Sequence, residues 1–121
     1  MKTRRLPPRG KKGSGLVVMK GERMITEIVE FKVKPGTADD FMKGVKASEE
    51  LFKNAPGFIG LELHHQIEDP RVFVLLIQWE TLAHHMEIFR NSPAFAAWRG
   101  NVGEYFAEPP RLQHSETKLR Y

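Results

Sequence analysis

The chain has 121 residues, no cysteine and a formal net charge of +4. This length suits one domain, and the lack of cysteine excludes a disulfide framework, a thiolate nucleophile and a cysteine-based zinc site. The charge is uneven, because residues 1–23 carry eight Lys or Arg and one Glu, which leaves the remainder mildly acidic, at about −3.

The basic segment, residues 1–23, contains Pro-Pro and Gly-Ser-Gly but almost no apolar periodicity, so we expect it to be a disordered tail before one domain, residues 24–121. No aromatic residue interleaves its cations, so we expect no nucleic-acid partner. Its apolar run, Gly15 to Met19, is too short for a membrane span or a signal peptide, and we expect a cytoplasmic protein without a membrane partner. A further hypothesis is that translation starts at residue 19 or 24, since the codons preceding residue 24 can encode a ribosome-binding sequence.

The first two predicted elements are a strand and a helix on either side of a Pro-Gly turn. The strand, Ile25 to Lys34, places Val29, Phe31 and Val33 on one face, as in a half-buried strand. Thr37 is the predicted N-cap of the helix, with two aspartates in the first turn. The apolar spacing predicts about four helical turns, ended by a second Pro-Gly pair. The stripe is Phe41, Val45, Ser48, Phe52 and Ala55.

Two strands joined by an Asp-Pro turn follow. In the first, Phe58 to Ile67, one face is predicted to carry Ile59, Leu61, Leu63, His65 and Ile67, and the other Phe58, Gly60, Glu62, His64 and Gln66. The second, Val72 to Trp79, is apolar on both faces, which predicts a central strand covered on both sides.

Two short helices and a closing strand, Arg111 to Leu119, complete the chain. Ser92-Pro93 is typical of a capped helix start, and the stripe of this helix is Phe95, Trp98, Val102 and Phe106. The order β-α-β-β-α-β predicts an α+β, ferredoxin-like fold with an antiparallel sheet. No helix remains to cover the second face of the sheet, so we predict a homodimer whose two sheets pack into a barrel.

The segments together resemble the antibiotic biosynthesis monooxygenase (ABM) family of dimeric α+β barrels. The resemblance covers about Met24 to Leu119 and rests on PGTADDF, APGFIGLEL, VFVLLIQWET, FRNSPAFAAWRG and FAEPPRLQH. It implies either a cofactor-independent monooxygenase that oxidises a small phenolic or quinol compound with O2, or a haem-degrading enzyme. Two alternatives remain open: a barrel that binds a small molecule without turnover, and a structural barrel filled by aromatic residues such as Phe41, Phe89 and Phe95.

The haem-degrading branch of the family uses an Asn on the first strand, a Trp on the helix after the third strand and a haem-ligating His on the next helix. In this sequence those places fall on Val29, Phe89 and Arg99. The resemblance therefore disfavours haem degradation, and we expect no cofactor.

A quinol-oxidising site needs a dry apolar pocket, a base poised near neutral pH and a donor for the developing oxyanion. His85 is the candidate base, because helical geometry puts it at the edge of an apolar stripe while His84 points away. That stripe is Leu82, Met86 and Phe89. The alternative for His85 is a boundary histidine that bonds backbone or water. Arg99 is the candidate oxyanion donor, with a surface cation as its alternative.

The candidate substrate contacts are His64, His65, Trp79 and Phe89. His64 and His65 face opposite sides of their strand, so at most one reaches a given cavity, and the pair is not a metal site. Trp79 is either a pocket wall or a core residue. Tyr105 and His114 are further candidates, the latter at the dimer seam. The enzyme hypothesis predicts a closed pocket lined by some of His85, His65, Trp79 and Arg99.

Overall fold

A computed structural model describes residues 24–121, so the predictions for residues 1–23 lie outside the described residues. The elements are β1 (Ile25–Lys32), α1 (Ala38–Ala47), α2 (Glu49–Lys53), β2 (Phe58–His65), β3 (Val72–Trp79), a π-helical segment (His84–Phe89), α3 (Pro93–Val102), a short 3-10 turn (Gly103–Tyr105) and β4 (Arg111–Ser115). The four strands form one antiparallel sheet in the order β2-β3-β1-β4. This architecture confirms the predicted α+β, ferredoxin-like fold. Within the described range, no helix has the length and hydrophobicity needed to cross a bilayer.

The helices pack on one face of the sheet, and the core lies between them. β1 buries every second residue on this face, and β3 is central, as its two apolar faces predict. Aromatic rings fill much of the layer: the Phe31 and Phe41 centroids are 5.2 Å apart, and those of Phe52 and Trp98 are 5.0 Å apart. Burial of such large apolar side chains supplies most of the stabilisation of a fold of this size.

The predicted four-turn helix is interrupted, and this corrects the sequence analysis. It divides at Ser48 into α1 and α2. The Ser48 hydroxyl donates to the Gly44 carbonyl oxygen at 2.8 Å and accepts from Asn101 Nδ2 at 2.9 Å. A serine that bonds back to the previous turn bends a helix, and here the contact with α3 holds the bend. The predicted side-chain cap is also absent, because the Thr37 hydroxyl donates to the Lys34 carbonyl oxygen instead.

A β-bulge alters the predicted faces of β2. The register with β3 shifts between Phe58 and Gly60, so Phe58 faces the helices and packs edge-on against Trp79 at 6.0 Å. Ile59 is left 45% exposed. A bulge inserts one residue and thereby reverses the alternation on one side of it. Beyond it, Leu61 and Leu63 lie on the packed face as predicted, but the strand ends at His65 and Ile67 is exposed.

The segment after β3 is wound as a π-helix, in which Arg90 N–H donates to the His85 carbonyl oxygen, five residues back. The buried residues are therefore His85 and Phe89, whereas Leu82 and Met86 of the predicted stripe are exposed. This prediction was wrong because it assumed the α-helical period. The next helix begins as predicted, with Ser92 Oγ accepting from Phe95 N–H and proline at the first position.

Candidate functional site

A chain of buried polar contacts lies beneath the π-helical segment, on the helix-covered face of the sheet. It consists of Glu27 on β1, His85 on the π-helical segment and His114 on β4, and we name it the Glu-His-His chain. Glu27 Oε2 lies 3.3 Å from His85 Nε2, and His85 Nδ1 lies 2.9 Å from His114 Nε2. The other carboxyl oxygen, Glu27 Oε1, accepts a hydrogen bond from Trp79 Nε1 at 2.9 Å.

The strand register brings these groups together. Glu27 occupies an inward position of β1, between Ile25 and Val29, and pairs with His114 across the β1–β4 ladder. Side chains at paired positions lie on the same face, so the carboxyl and this imidazole face the same layer. The turn after β3 carries the π-helical segment back over the sheet, and the ring of His85 stacks on Trp79 at 5.7 Å.

Burial sets the protonation of the chain. It raises the pKa of Glu27 to about 7, against the opposing effects of the Trp79 hydrogen bond and the positive charge of Arg90. It lowers the pKa of His85 to about 4, with further lowering by His114 and Arg90. The pKa of His114 is also lowered, by burial and by Arg90. Near neutral pH both imidazoles are thus uncharged, and the carboxyl is the group that gains or loses a proton.

Comparison with known proteins identifies the family. The family model described as antibiotic biosynthesis monooxygenase matches residues 24–101. A solved structure from Bordetella bronchiseptica that carries the same family description is 44% identical, with a TM-score of 0.79, and the match covers 80% of this chain and 99% of that one. The protein belongs to the antibiotic biosynthesis monooxygenase family.

Two further proteins are similar to this ABM protein, one in sequence and one in structure. The uncharacterized Bacillus subtilis protein YczJ is 25% identical over 91 residues, which is 75% of this chain and 96% of YczJ. The structure of SnoaB, a cofactor-independent oxygenase from Streptomyces nogalater, has a TM-score of 0.70 at 14% identity, with 80% of this chain and 95% of that one covered. At this identity the likeness to SnoaB shows the fold alone.

Two of the predicted site residues lie together in the ABM protein. His85 is the middle member of the Glu-His-His chain, and Trp79 donates a hydrogen bond to Glu27. Phe89 lies beside them, but its ring packs into the core against Trp79 at 5.3 Å and Phe52 at 5.2 Å. His114 faces the helix-covered side of the sheet, where it contacts His85. Glu27 was missed by the sequence analysis, although a lone carboxylate among inward-facing apolar residues of β1 is a signal that alternation makes visible.

The remaining candidates lie elsewhere. Arg99 is exposed, with its guanidinium 5.6 Å from the Phe106 ring centroid. His65 is exposed, stacks on Phe73 at 4.1 Å and contacts the Pro70 carbonyl oxygen at 2.7 Å. His64 is exposed and contacts Glu62 at 2.8 Å. These three side chains therefore do not converge with His85 on one site.

His84, which was predicted to point away from the site, and the candidate Tyr105 also have structural contacts. His84 forms a hydrogen bond with the Thr81 hydroxyl through Nδ1 at 2.8 Å. Its ring also packs against Gly57, where a Cβ would collide with it, and the φ of +79° at this position favours glycine as well. Tyr105 is half-buried and bonds Glu104, which raises the pKa of its phenol.

An apolar groove of about 530 Å³ lies between α1, α2 and β2. Its walls include Met42, Val45, Phe52, Phe58, Leu61 and Leu63, and its charged residues are Lys46, Glu49 and Lys53. β2 and β4 are the two edges of the sheet, so the groove and His114 lie at opposite sides of the molecule. None of His85, His65, Trp79 and Arg99 lines this groove, and the expected pocket built on those four side chains is not found there.

The residues at the haem positions of the family do not fit haem. Val29 and Phe89 are buried in the core, and Phe89 contacts three other aromatic rings there. Arg99 offers no axial ligand. Among residues 24–121, no cluster of three or more His, Asp or Glu side chains is placed to hold a metal ion.

Proposed function

We propose that this ABM protein is a cofactor-independent monooxygenase that converts a small phenolic or quinol compound to a quinone with O2. The observation that carries the proposal is the Glu-His-His chain, a buried proton acceptor whose carboxyl has a pKa of about 7. Membership of the family and the oxygenase activity named for SnoaB, which shares the fold, support the same reaction class.

The chemistry requires a base rather than a bound cofactor. Loss of the hydroxyl proton leaves an electron-rich phenolate that reduces O2. In a phenol, one oxygen atom replaces the hydrogen on the ring carbon opposite the hydroxyl and becomes a carbonyl. In a quinol, one oxygen atom enters at a ring C–H as a hydroxyl while the two original hydroxyls lose their hydrogens, which gives a hydroxyquinone. In both cases the other oxygen atom leaves as water. Phenol and O2 thus give quinone and water, with no external reductant. A base buried away from water and matched to neutral pH is what the first step needs.

Oxygen consumption tests the proposal. We expect metal-free protein to consume O2 saturably with at least one member of a panel of naphthohydroquinones and polyphenols, after uncatalysed autoxidation is subtracted. The matched control is His64→Gln, which removes an exposed imidazole outside the Glu-His-His chain and should leave uptake unchanged. Uptake no faster than autoxidation across the panel would count against an oxygenase.

We also propose that the protein works as a homodimer. The sheet face opposite the helices carries Ile28 and Leu76, which are directly paired, together with Val74, and all three are only half-buried. A second copy of the same face would cover these side chains. No helix of the described chain occupies that side, because the helices pack on the Phe31 and Leu75 side.

Light scattering tests the dimer. We expect a mass twice the 13.9 kDa of the chain at micromolar protein, and we expect Leu76→Glu to shift it to the single-chain mass, because the new carboxylates would be buried unpaired. Lys43→Glu, on the exposed surface of α1, is the matched charge change and should leave the dimer intact. A single-chain mass for the unmodified protein would refute the two-sheet barrel.

The groove favours a second candidate, binding without turnover. Its seven apolar wall residues, the six named above and Ile59, suit a flat hydrophobic molecule, and its lining contains no histidine. A molecule held there is separated from His85 by the rings of Phe58 and Trp79. Saturable binding of a naphthohydroquinone without O2 uptake above background would assign the protein to this class.

A further inference from the structure

We propose that the Glu-His-His chain is a proton relay, in which His114 is the catalytic residue that takes the substrate's hydroxyl proton and Glu27 is the final acceptor. His85 is a positioning residue that passes the proton between them. The inference rests on the proposed function, since it names the group of that same site that touches the substrate.

His85 has no ring nitrogen left for a substrate. Its Nε2 faces Glu27 Oε2 at 3.3 Å and its Nδ1 contacts His114 Nε2 at 2.9 Å. Its side chain is only 3% exposed, and its ring is stacked on Trp79. A base must reach the proton that it removes within hydrogen-bonding distance, so His85 acts through its neighbours.

His114 is placed at the accessible end of the chain. It lies on β4, an edge strand, and its side chain is half-buried whereas Glu27 and His85 are buried. Its Nε2 is occupied by His85, while its Nδ1 has no hydrogen-bond partner among the described residues. The Nδ1 atom is therefore where a substrate hydroxyl can be received.

The hydrogen-bond directions follow from the charge of Glu27. When the carboxylate is ionised it accepts from Trp79 Nε1–H and, after a small rotation that aligns the 3.3 Å contact, from His85 Nε2–H. His85 Nδ1 then carries the lone pair and accepts from His114 Nε2–H. This tautomer leaves a lone pair on His114 Nδ1, which is the form required of a base.

The relay moves three protons by one place each. The substrate hydroxyl proton goes to His114 Nδ1, the His114 Nε2 proton goes to His85 Nδ1, and the His85 Nε2 proton goes to Glu27 Oε2. The three O–H or N–H bonds that break are matched by three that form, and neither imidazole is left charged. The negative charge passes from the carboxylate to the substrate, and the raised pKa of Glu27 makes it a suitable acceptor.

Arg90 stabilises the negative charge that this transfer places on the substrate. It is exposed, its guanidinium lies over the Phe95 ring at 5.4 Å, and its positive charge acts on Glu27, His85 and His114. A positive charge whose effect reaches His114 also favours a substrate oxyanion bound to that residue. Arg90 thus fits the role that the sequence analysis gave to Arg99.

The alternative is a purely structural role, in which the Glu-His-His chain holds β4, β1 and the π-helical segment together without transferring protons. The variant Glu27→Gln separates the two roles, because the amide has nearly the same shape. Its oxygen must accept from Trp79, so its NH2 group donates to His85 Nε2. His85 Nδ1–H then donates to His114 Nε2, and His114 is left with a proton on Nδ1 and no free lone pair.

NMR detection of the imidazole nitrogens in ¹⁵N-labelled full-length protein tests the relay. In the unmodified protein we expect the His114 proton to move from Nδ1 to Nε2 as the pH rises through about 7, with the ring uncharged throughout. In Glu27→Gln we expect it to stay on Nδ1. The same His114 tautomer in both proteins at every pH would overturn the relay.

Oxygen uptake by His114→Gln completes the test. Since this residue lies on a half-buried edge position, the variant is expected to fold. We expect it to lose at least about a hundredfold in kcat/KM. Full uptake by the variant would overturn the catalytic role of His114 and leave the oxygenase proposal intact. A His114 tautomer switch in an unmodified protein that consumes no O2 would instead overturn the proposed function, and the catalytic role with it.

Discussion

Replacing Glu27 with Gln is expected to lower kcat/KM for a phenolic substrate by about 10² to 10⁴-fold while the fold is retained. The substitution keeps the Trp79 hydrogen bond and the volume of the side chain but removes the final proton acceptor. It also fixes the tautomer in which His114 Nδ1 carries a proton. The loss should appear in kcat as well as in kcat/KM, because the missing step belongs to the reaction rather than to binding.

The pH profile of O2 uptake checks this prediction. In the unmodified protein kcat/KM should rise as the pH passes about 7, because Glu27 accepts a proton only when it is ionised. In Glu27→Gln that rise should be absent. Glu50→Gln, at an exposed position of α2, is the matched control and should preserve both rate and profile. An unchanged profile in Glu27→Gln would show that another group supplies the base.

The second large effect concerns stability. In the unmodified protein, unfolding between about pH 4.5 and 6.5 moves a proton from the Glu27 carboxyl to the His85 imidazole, because burial raises the pKa of Glu27 to about 7 and lowers that of His85 to about 4. The folded and unfolded chains then bind the same number of protons at these two groups. The pair therefore adds no slope to the free energy of unfolding in this window.

Single variants should expose two opposite slopes. In Glu27→Gln only His85 remains, and its folded pKa is below its unfolded value, so stability should rise with pH from about 4 to 6.5. In His85→Phe only Glu27 remains, and its folded pKa is above its unfolded value, so stability should fall as the pH rises from about 4.5 to 7. Each change amounts to about 3 kcal/mol over its window, at about 1.4 kcal/mol per pH unit.

Urea unfolding at a series of pH values measures both slopes. The informative quantity is the difference between the free energies of unfolding of the two variants at each pH. Groups that titrate in the same way in both variants cancel in this difference. A difference that varies by less than about 1 kcal/mol between pH 4.5 and 6.5 would mean that burial does not shift these groups as described.

The fold was predictable because its signals are local. Val72 to Trp79 is apolar at every position but Gln78, which identifies a central strand, and Ser92-Pro93 marks the start of α3 within a few residues. The break in the first helix was not predictable, since the hydrogen bond between Ser48 and Asn101 joins residues 53 apart in the chain. The exposure of Ile59 likewise depends on a bulge that the β2–β3 pairing creates.

The site was predictable only in part, for a related reason. His85 and Trp79 were found because they stand out in the sequence: Trp79 is an indole at the end of a strand, and His85 is an imidazole at the start of a helix. Glu27 was missed because a carboxylate at an inward position is stable only with partners 52 and 58 residues further along the chain, Trp79 and His85. The π-helical winding that turns His85 inward is a tertiary feature as well.

The central claim, oxygenation without a cofactor, is tested most directly by repeating the O2-uptake reaction under ¹⁸O2 with metal-free protein and a phenolic substrate that the panel identifies. The quinone should be reduced at once to the hydroquinone, so that its carbonyl oxygens do not exchange with water. The mass of the hydroquinone is then measured by mass spectrometry. We expect one ¹⁸O atom per product molecule. Product without label, or no product beyond that of the uncatalysed reaction, would contradict the claim.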